Sequence, residues 1–170
     1  VATASGMSAE FITFAALVGH GDHVVASGQL YGGTVTQLDV TLRRFGVETT
    51  FVSSSDPADY AAAIRPETKV LYVETIGNPS GEIADIEGLA EVAHAAGIPL
   101  VVDSTLATPY LARPLEHGAD IVIHSVTKFL GGHGTTLGGV VIEKGTFDWG
   151  NGKFPQMTEP VASYGGISWW

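Results

Sequence analysis

Ile121-Val-Ile-His-Ser-Val-Thr-Lys128 is the stretch on which the reading of the fold turns. It opens on three apolar β-branched residues, as does a strand covered on both faces inside a parallel sheet, and ends in two hydroxyls and a lysine. Ligands of open α/β sheets sit outside the carboxyl ends of the strands, so Ser125, Thr127 and Lys128 fall where chemistry is done. Burial at such a strand end withdraws a lysine amine partly from water, lowers its pKa and makes it a nucleophile toward an aldehyde. An isolated strand-end lysine is otherwise an ordinary snorkelling side chain.

Similar runs lie on either side. His23–Ala26, Glu48–Val52, Val70–Glu74, Leu100–Asp103 and Gly139–Glu143 read as strands. Between them, Ser8–Val18 reads as a helix closed by Gly19, and Thr34–Phe45 as one closed by Gly46. Asp56 and Pro57 start a helix through Ile64, and Asp85 caps Ile86–Ala96 ahead of Gly97. Strand and helix alternate, which implies an α/β fold: a mostly parallel sheet flanked by helices in three α/β/α layers. No linker or repeat divides residues 1–170, so they form one domain or the greater part of one.

The 170 residues are 45% hydrophobic, enough for a core, and lack cysteine, which excludes a disulfide framework and thiolate metal sites. That usage fits a reducing cytoplasm. The net charge of -10, with eight Lys plus Arg against eighteen Asp plus Glu, argues against nucleic acid and anionic membrane as partners. No apolar run is long enough to cross a bilayer. The six histidines are scattered without ligand spacing, so no metal site is expected. Gly131-Gly132-His133-Gly134 lacks the spacing of a dinucleotide fingerprint. The chain opens on Val1 and stops within Gly165-Gly-Ile-Ser-Trp-Trp170, which reads as an internal piece of a longer polypeptide.

Three more sets of residues fall at strand ends or helix starts. Ser5-Gly6-Met7 precedes a helix, whose free N–H groups and dipole favour a phosphate, although small residues there serve equally as a cap. Asn78-Pro79 puts an amide on a turn after Val70–Glu74, where a structural Asx turn is the alternative. Asp103 emerges from an apolar strand and needs a cationic or hydrogen-bonded partner. A phosphate, a ring nitrogen to be kept protonated and an aldehyde for Lys128 are together what pyridoxal 5'-phosphate presents.

Ser5-Gly6-Met7, Tyr31-Gly32-Gly33-Thr34, Asn78-Pro79, Val102-Asp103-Ser-Thr105 and His124-Ser125-Val-Thr127-Lys128 resemble, in order and over essentially the whole chain, the Cys/Met-metabolism family of fold-type-I PLP enzymes. The resemblance implies a PLP-binding large domain over 1–170, without the family's N-terminal segment and C-terminal domain. It implies that Gly6 and Met7 amides with the Ser125 and Thr127 hydroxyls hold the phosphate, that Tyr31 stacks on the ring and assists proton transfer, and that Asn78 lies near the 3'-oxygen. Asp103 would pair with the ring nitrogen and Lys128 would bond the cofactor aldehyde and act as catalytic base.

After the lysine, Gly131 to Gly139, Gly145 to Pro155 and Thr158-Glu-Pro160 are similar to the O-acetylhomoserine sulfhydrylase branch of the family. That branch implies an amino-acid substrate and sulfide as small-molecule partners, γ-replacement to homocysteine, and a homotetramer built from dimers. A cystathionine γ-synthase, cystathionine γ-lyase or methionine γ-lyase type is the alternative, and a catalytically silent fragment or assembly module is another. Arg43, Arg44, Arg65 and Arg113 match no substrate-carboxylate motif.

Overall fold

A computed structural model describes all residues, Val1–Trp170. Seven strands form one sheet: β1 (Ala2–Thr3), β2 (His23–Ser27), β3 (Glu48–Val52), β4 (Thr68–Glu74), β5 (Leu100–Asp103), β6 (Ile121–Ser125) and β7 (Gly139–Glu143). Their order is β1-β7-β6-β5-β4-β2-β3. The five strands from β6 to β3 are mutually parallel, whereas β7 runs antiparallel to β6 and β1 antiparallel to β7. The expected mostly parallel sheet is present, with an antiparallel margin and a two-residue strand too short to show a pattern.

Both faces are covered. Val24, Ala26, Val70, Tyr72, Val101, Ile121 and Ile123 pack on one side with Phe14 of α1 (Gly6–Leu17). Val25, Leu71, Val73, Leu100, Val102 and Val122 pack on the other with Tyr60 of α3 (Pro57–Ala63) and Leu89 of α4 (Ile86–Ala95). Alternate residues of each strand thus serve opposite cores. The same alternation carries Glu74, Asp103 and Ser125 onto the face that α1 covers, each an even number of residues beyond a side chain buried there.

Several boundaries differ from expectation. Helix α1 starts at Gly6, because Ser5 is its cap and accepts from the Ser8 N–H at 3.1 Å. Gly19 does not close it in a left-handed turn: Val18 is extended with its N–H on the Phe14 carbonyl, and the Gly19 N–H goes to Asp22. The expected helix Thr34–Phe45 is a composite of α2 (Gly32–Thr36), a π turn over Gln37–Thr41 and a 3-10 turn over Leu42–Phe45, which does end on Gly46 with φ 80°. Asp56 and Asp85 cap α3 and α4, accepting from Ala58 and Gly88 N–H groups.

In the segment Phe147 to Phe154, which carries the resemblance to one branch, Phe147, Trp149 and Phe154 are core, while Asp148 and Gly150 to Gly152 are exposed. The Phe154 ring meets Trp149 edge-on at 5.1 Å and Phe147 at 5.8 Å, and is fully buried in the α1-side core. Phe154→Ala is expected to cost about 3–5 kcal/mol through the cavity it leaves, read as a lowered urea midpoint.

Candidate functional site

A cleft of about 800 Å³ opens at the carboxyl ends of β4, β5 and β6 and at the N-terminus of α1. Gly6, Met7, Tyr31, Asn78, Asp103, Ser125, Thr127 and Lys128, singled out from the sequence, all line it. So do Glu10, Glu74, Thr105, Phe129 and Leu137, to which sequence reasoning gave no role.

The close approach of α1 to β6 builds the anion end. A Cβ on Gly6 would stand 2.6 Å from the Ser125 Cβ, so any side chain there would push the helix from the strand end. Gly139 is equally restricted, since its Cβ would meet the Ser5 carbonyl oxygen at 2.1 Å. Ser8 and Ala9 N–H groups are taken by the Ser5 side chain and carbonyl. Those of Gly6 and Met7 find no acceptor in the chain, leaving two donors at the positive end of a twelve-residue helix. The Ser125 hydroxyl is also without a partner, and Thr105 Oγ1 accepts from the Ser125 N–H at 2.8 Å. Thr127 is already engaged: its hydroxyl donates to the Gly138 carbonyl at 3.2 Å and accepts from the Gly138 N–H at 3.1 Å.

Carboxyl groups line the floor. Asp103 is buried and accepts from the Thr105 N–H at 2.7 Å. Burial raises its pKa, opposed by the hydrogen bonds of Thr105 and by the charge of His124. Glu74 accepts from the Tyr31 N–H at 2.6 Å and has its pKa pushed up to about 7, first by burial and then by the charge of Asp103. Glu10 is 4% exposed, accepts from the Thr34 hydroxyl on both oxygens at 3.0 Å, and is pushed up to about 8 by burial and by Asp103. The Tyr31 ring lies over Gly33, where a Cβ would stand 2.4 Å from Tyr31 Cε1. Asn78 is half-buried and joined to Pro79 by a cis peptide.

Lys128 is the single lysine or arginine of the cleft, but it is not desolvated within this chain. The strand ends at Ser125, the backbone turns, and the lysine stands exposed three residues later with exposed Phe129 beside it. His23, bonded to Thr68 and Thr50 hydroxyls, and His94, bonded to Asp120, serve structure. No three His, Cys, Asp or Glu side chains group in a way that could hold a metal ion. No helix is long and apolar enough to cross a membrane.

The profile of the family described as Cys/Met metabolism PLP-dependent enzyme matches residues 1–164. The chain is 54% identical to the sulfhydrylase FUB7 of Fusarium oxysporum f. sp. lycopersici over 99% of its own length and 40% of that protein. It is 49% identical to the O-acetyl-L-homoserine sulfhydrylase of Leptospira meyeri over 100% of its length and 38% of the relative. A crystal structure of a putative O-acetylhomoserine (thiol)-lyase from Campylobacter jejuni, which carries N'-pyridoxyl-lysine-5'-monophosphate, superposes with a TM-score of 0.95. That match has 35% identity and covers 99% of this chain and 42% of the other. The chain therefore spans about 40% of the length of the curated relatives it matches.

A raised carboxyl pKa means that the folded state holds its proton more tightly than the unfolded one. Stability from Glu10 and Glu74 is fully present below their ordinary value of 4.5 and is lost as pH rises through about 8 for Glu10 and about 7 for Glu74. Urea unfolding of the cofactor-free protein is expected to show stability falling between about pH 5 and pH 8, and the double variant Glu10→Gln, Glu74→Gln to flatten that slope.

Proposed function

The chain belongs to the Cys/Met metabolism PLP-dependent enzyme family, and on that premise we propose that it is part of the cofactor-binding large domain of an O-acetylhomoserine sulfhydrylase. The observation that carries the reading is one cleft holding an anion-binding helix end, a buried carboxyl and an amine, matched to the phosphate, ring nitrogen and aldehyde of PLP. The fit is physical. Gly6 leaves room that a Cβ would fill, its N–H and that of Met7 lack acceptors, and Asp103 is buried with no lysine or arginine paired to it. The choice of branch rests on sulfhydrylases about half identical over the whole chain.

When bound, PLP supplies an electron-poor ring that stabilises negative charge on the carbon bearing the substrate amine. Asp103 keeps the ring nitrogen protonated by offering it a carboxylate in a dry setting. Gly6 and Met7 N–H groups and the Ser125 hydroxyl hold the phosphate. Thr127 acts here mainly as a brace, since its proton is committed to Gly138. Tyr31 stacks on the ring, and its backbone is held in place by Glu74. Asn78, which lines the same cleft, would serve the 3'-oxygen. Lys128, the one amine lining the cleft, would hold the cofactor through its aldehyde and would be the base for the substrate Cα proton. In the overall reaction acetate leaves Cγ of O-acetyl-L-homoserine and hydrosulfide takes its place, giving homocysteine.

Exposed Lys128, Phe129 and Leu137 at the rim support cover by a further segment or a second copy, in keeping with a homotetramer, and the lack of cysteine fits the cytoplasm. The full-length protein is expected to take up PLP with a new absorbance band that Lys128→Ala abolishes, and to form homocysteine from O-acetylhomoserine and sulfide. Asp103→Asn is expected to slow turnover on the order of 100-fold. Cystathionine formed from cysteine, with no homocysteine from sulfide, would move the protein to another branch. Absence of the band would mark it as silent.

A further inference from the structure

We propose that Glu10 and Thr34 form a tether that positions Tyr31: their buried hydrogen bond joins α1 to α2 and fixes the tyrosine ring relative to the Gly6 and Met7 N–H groups. The proposal rests on the cofactor reading above, and both residues act through Tyr31.

A threonine hydroxyl in a helix ordinarily bonds the carbonyl one turn back, as Thr36 does to Gly32 at 3.0 Å. Thr34 departs from that habit. Its hydroxyl leaves its own helix and lies 3.0 Å from each carboxyl oxygen of Glu10, 24 residues away. Thr34 is 0% exposed and Glu10 4%, so the bond is made out of water, where a polar group without a partner is costly. Apolar side chains at both positions would fill the space without fixing a distance, because their attraction has no direction.

Gly33 shows what the tether holds. A Cβ there would press into the Tyr31 ring at Cε1 and stand 3.2 Å from Met7 Sδ. The ring therefore rests on the backbone of the first turn of α2, beside the residue that follows Gly6. The Tyr31 carbonyl accepts from the Val35 N–H at 3.1 Å, which makes Tyr31 and Thr34 parts of one turn. On α1, Glu10 lies four residues beyond Gly6, one turn along the same face. Displacing Thr34 thus moves the ring platform away from the anion end. Glu74 accepts from the Tyr31 N–H at 2.6 Å and holds the entry to the turn, whereas Thr34 holds its interior.

In full-length protein, Thr34→Val, which keeps the shape and loses the hydroxyl, should weaken PLP binding about tenfold, and Thr34→Ser should stay within about twofold of wild type. Glu10→Leu should match Thr34→Val, and the two losses should not add. In a Tyr31→Leu background, Thr34→Val should change binding by less than about twofold, because the residue it positions is gone. In cofactor-free protein, Thr34→Val should speed hydrogen exchange of the Val35 N–H about tenfold with the amides of β5 and β6 unchanged, and Thr34→Ser should not. Binding by Thr34→Val that equals wild type, additive losses, an equal loss with and without Tyr31, or unchanged exchange at Val35 each overturn the proposal. Exchange that speeds throughout the sheet overturns it too, since the bond would then serve the fold as a whole. Wild type that takes up no PLP sinks the cofactor reading and this role with it, whereas normal uptake beside any of the preceding results sinks the tether alone.

Discussion

The approach of Gly6 to Ser125 is the constraint on which the site depends. It seats the first turn of α1 against the end of β6, so that the two N–H groups without acceptors face the space into which the strand ends open. The alternation of the strands does the rest. Tyr72 and Val101 are buried in the α1-side core, so Glu74 and Asp103, two residues on, face the same helix. Register pairs Glu74 with Asp103 and Asp103 with Ile123, which sets the carboxyls side by side across adjacent strands.

The electrostatics follow from this placement. A chain with a net charge of -10 lines its main cleft with three carboxyl side chains and one lysine. Backbone dipoles, not basic side chains, therefore supply the attraction for an anion at α1. The carboxyls reduce their mutual repulsion by retaining protons, as the raised values of Glu10 and Glu74 indicate.

Strand ends were legible because a polar residue closing an apolar run has few explanations. Asp103, Ser125 and the lysine beyond them were found that way, and the resemblance added Tyr31 and Asn78. Glu10 was illegible for a physical reason: α1 turns Glu10 inward and leaves Phe11 and Ile12 exposed at 37% and 40%, the inverse of an amphipathic pattern. Across the π turn at Gln37–Thr41 the buried Leu38 and Leu42 are four residues apart, as in an ordinary helix, so the apolar spacing does not reveal it. The exposure of Lys128 could not be foreseen from its strand, because the strand stops three residues short of it.

Thr127 has one more consequence. Its hydroxyl bonds both backbone groups of Gly138, tying together the two ends of the segment that carries Lys128 and the rim from Phe129 to Leu137. The base of that segment is thereby fixed to the sheet independently of what its tip contains. Lys128, the very next residue, is anchored from behind, by a bond to the sheet margin and not by the residues of the rim that it opens.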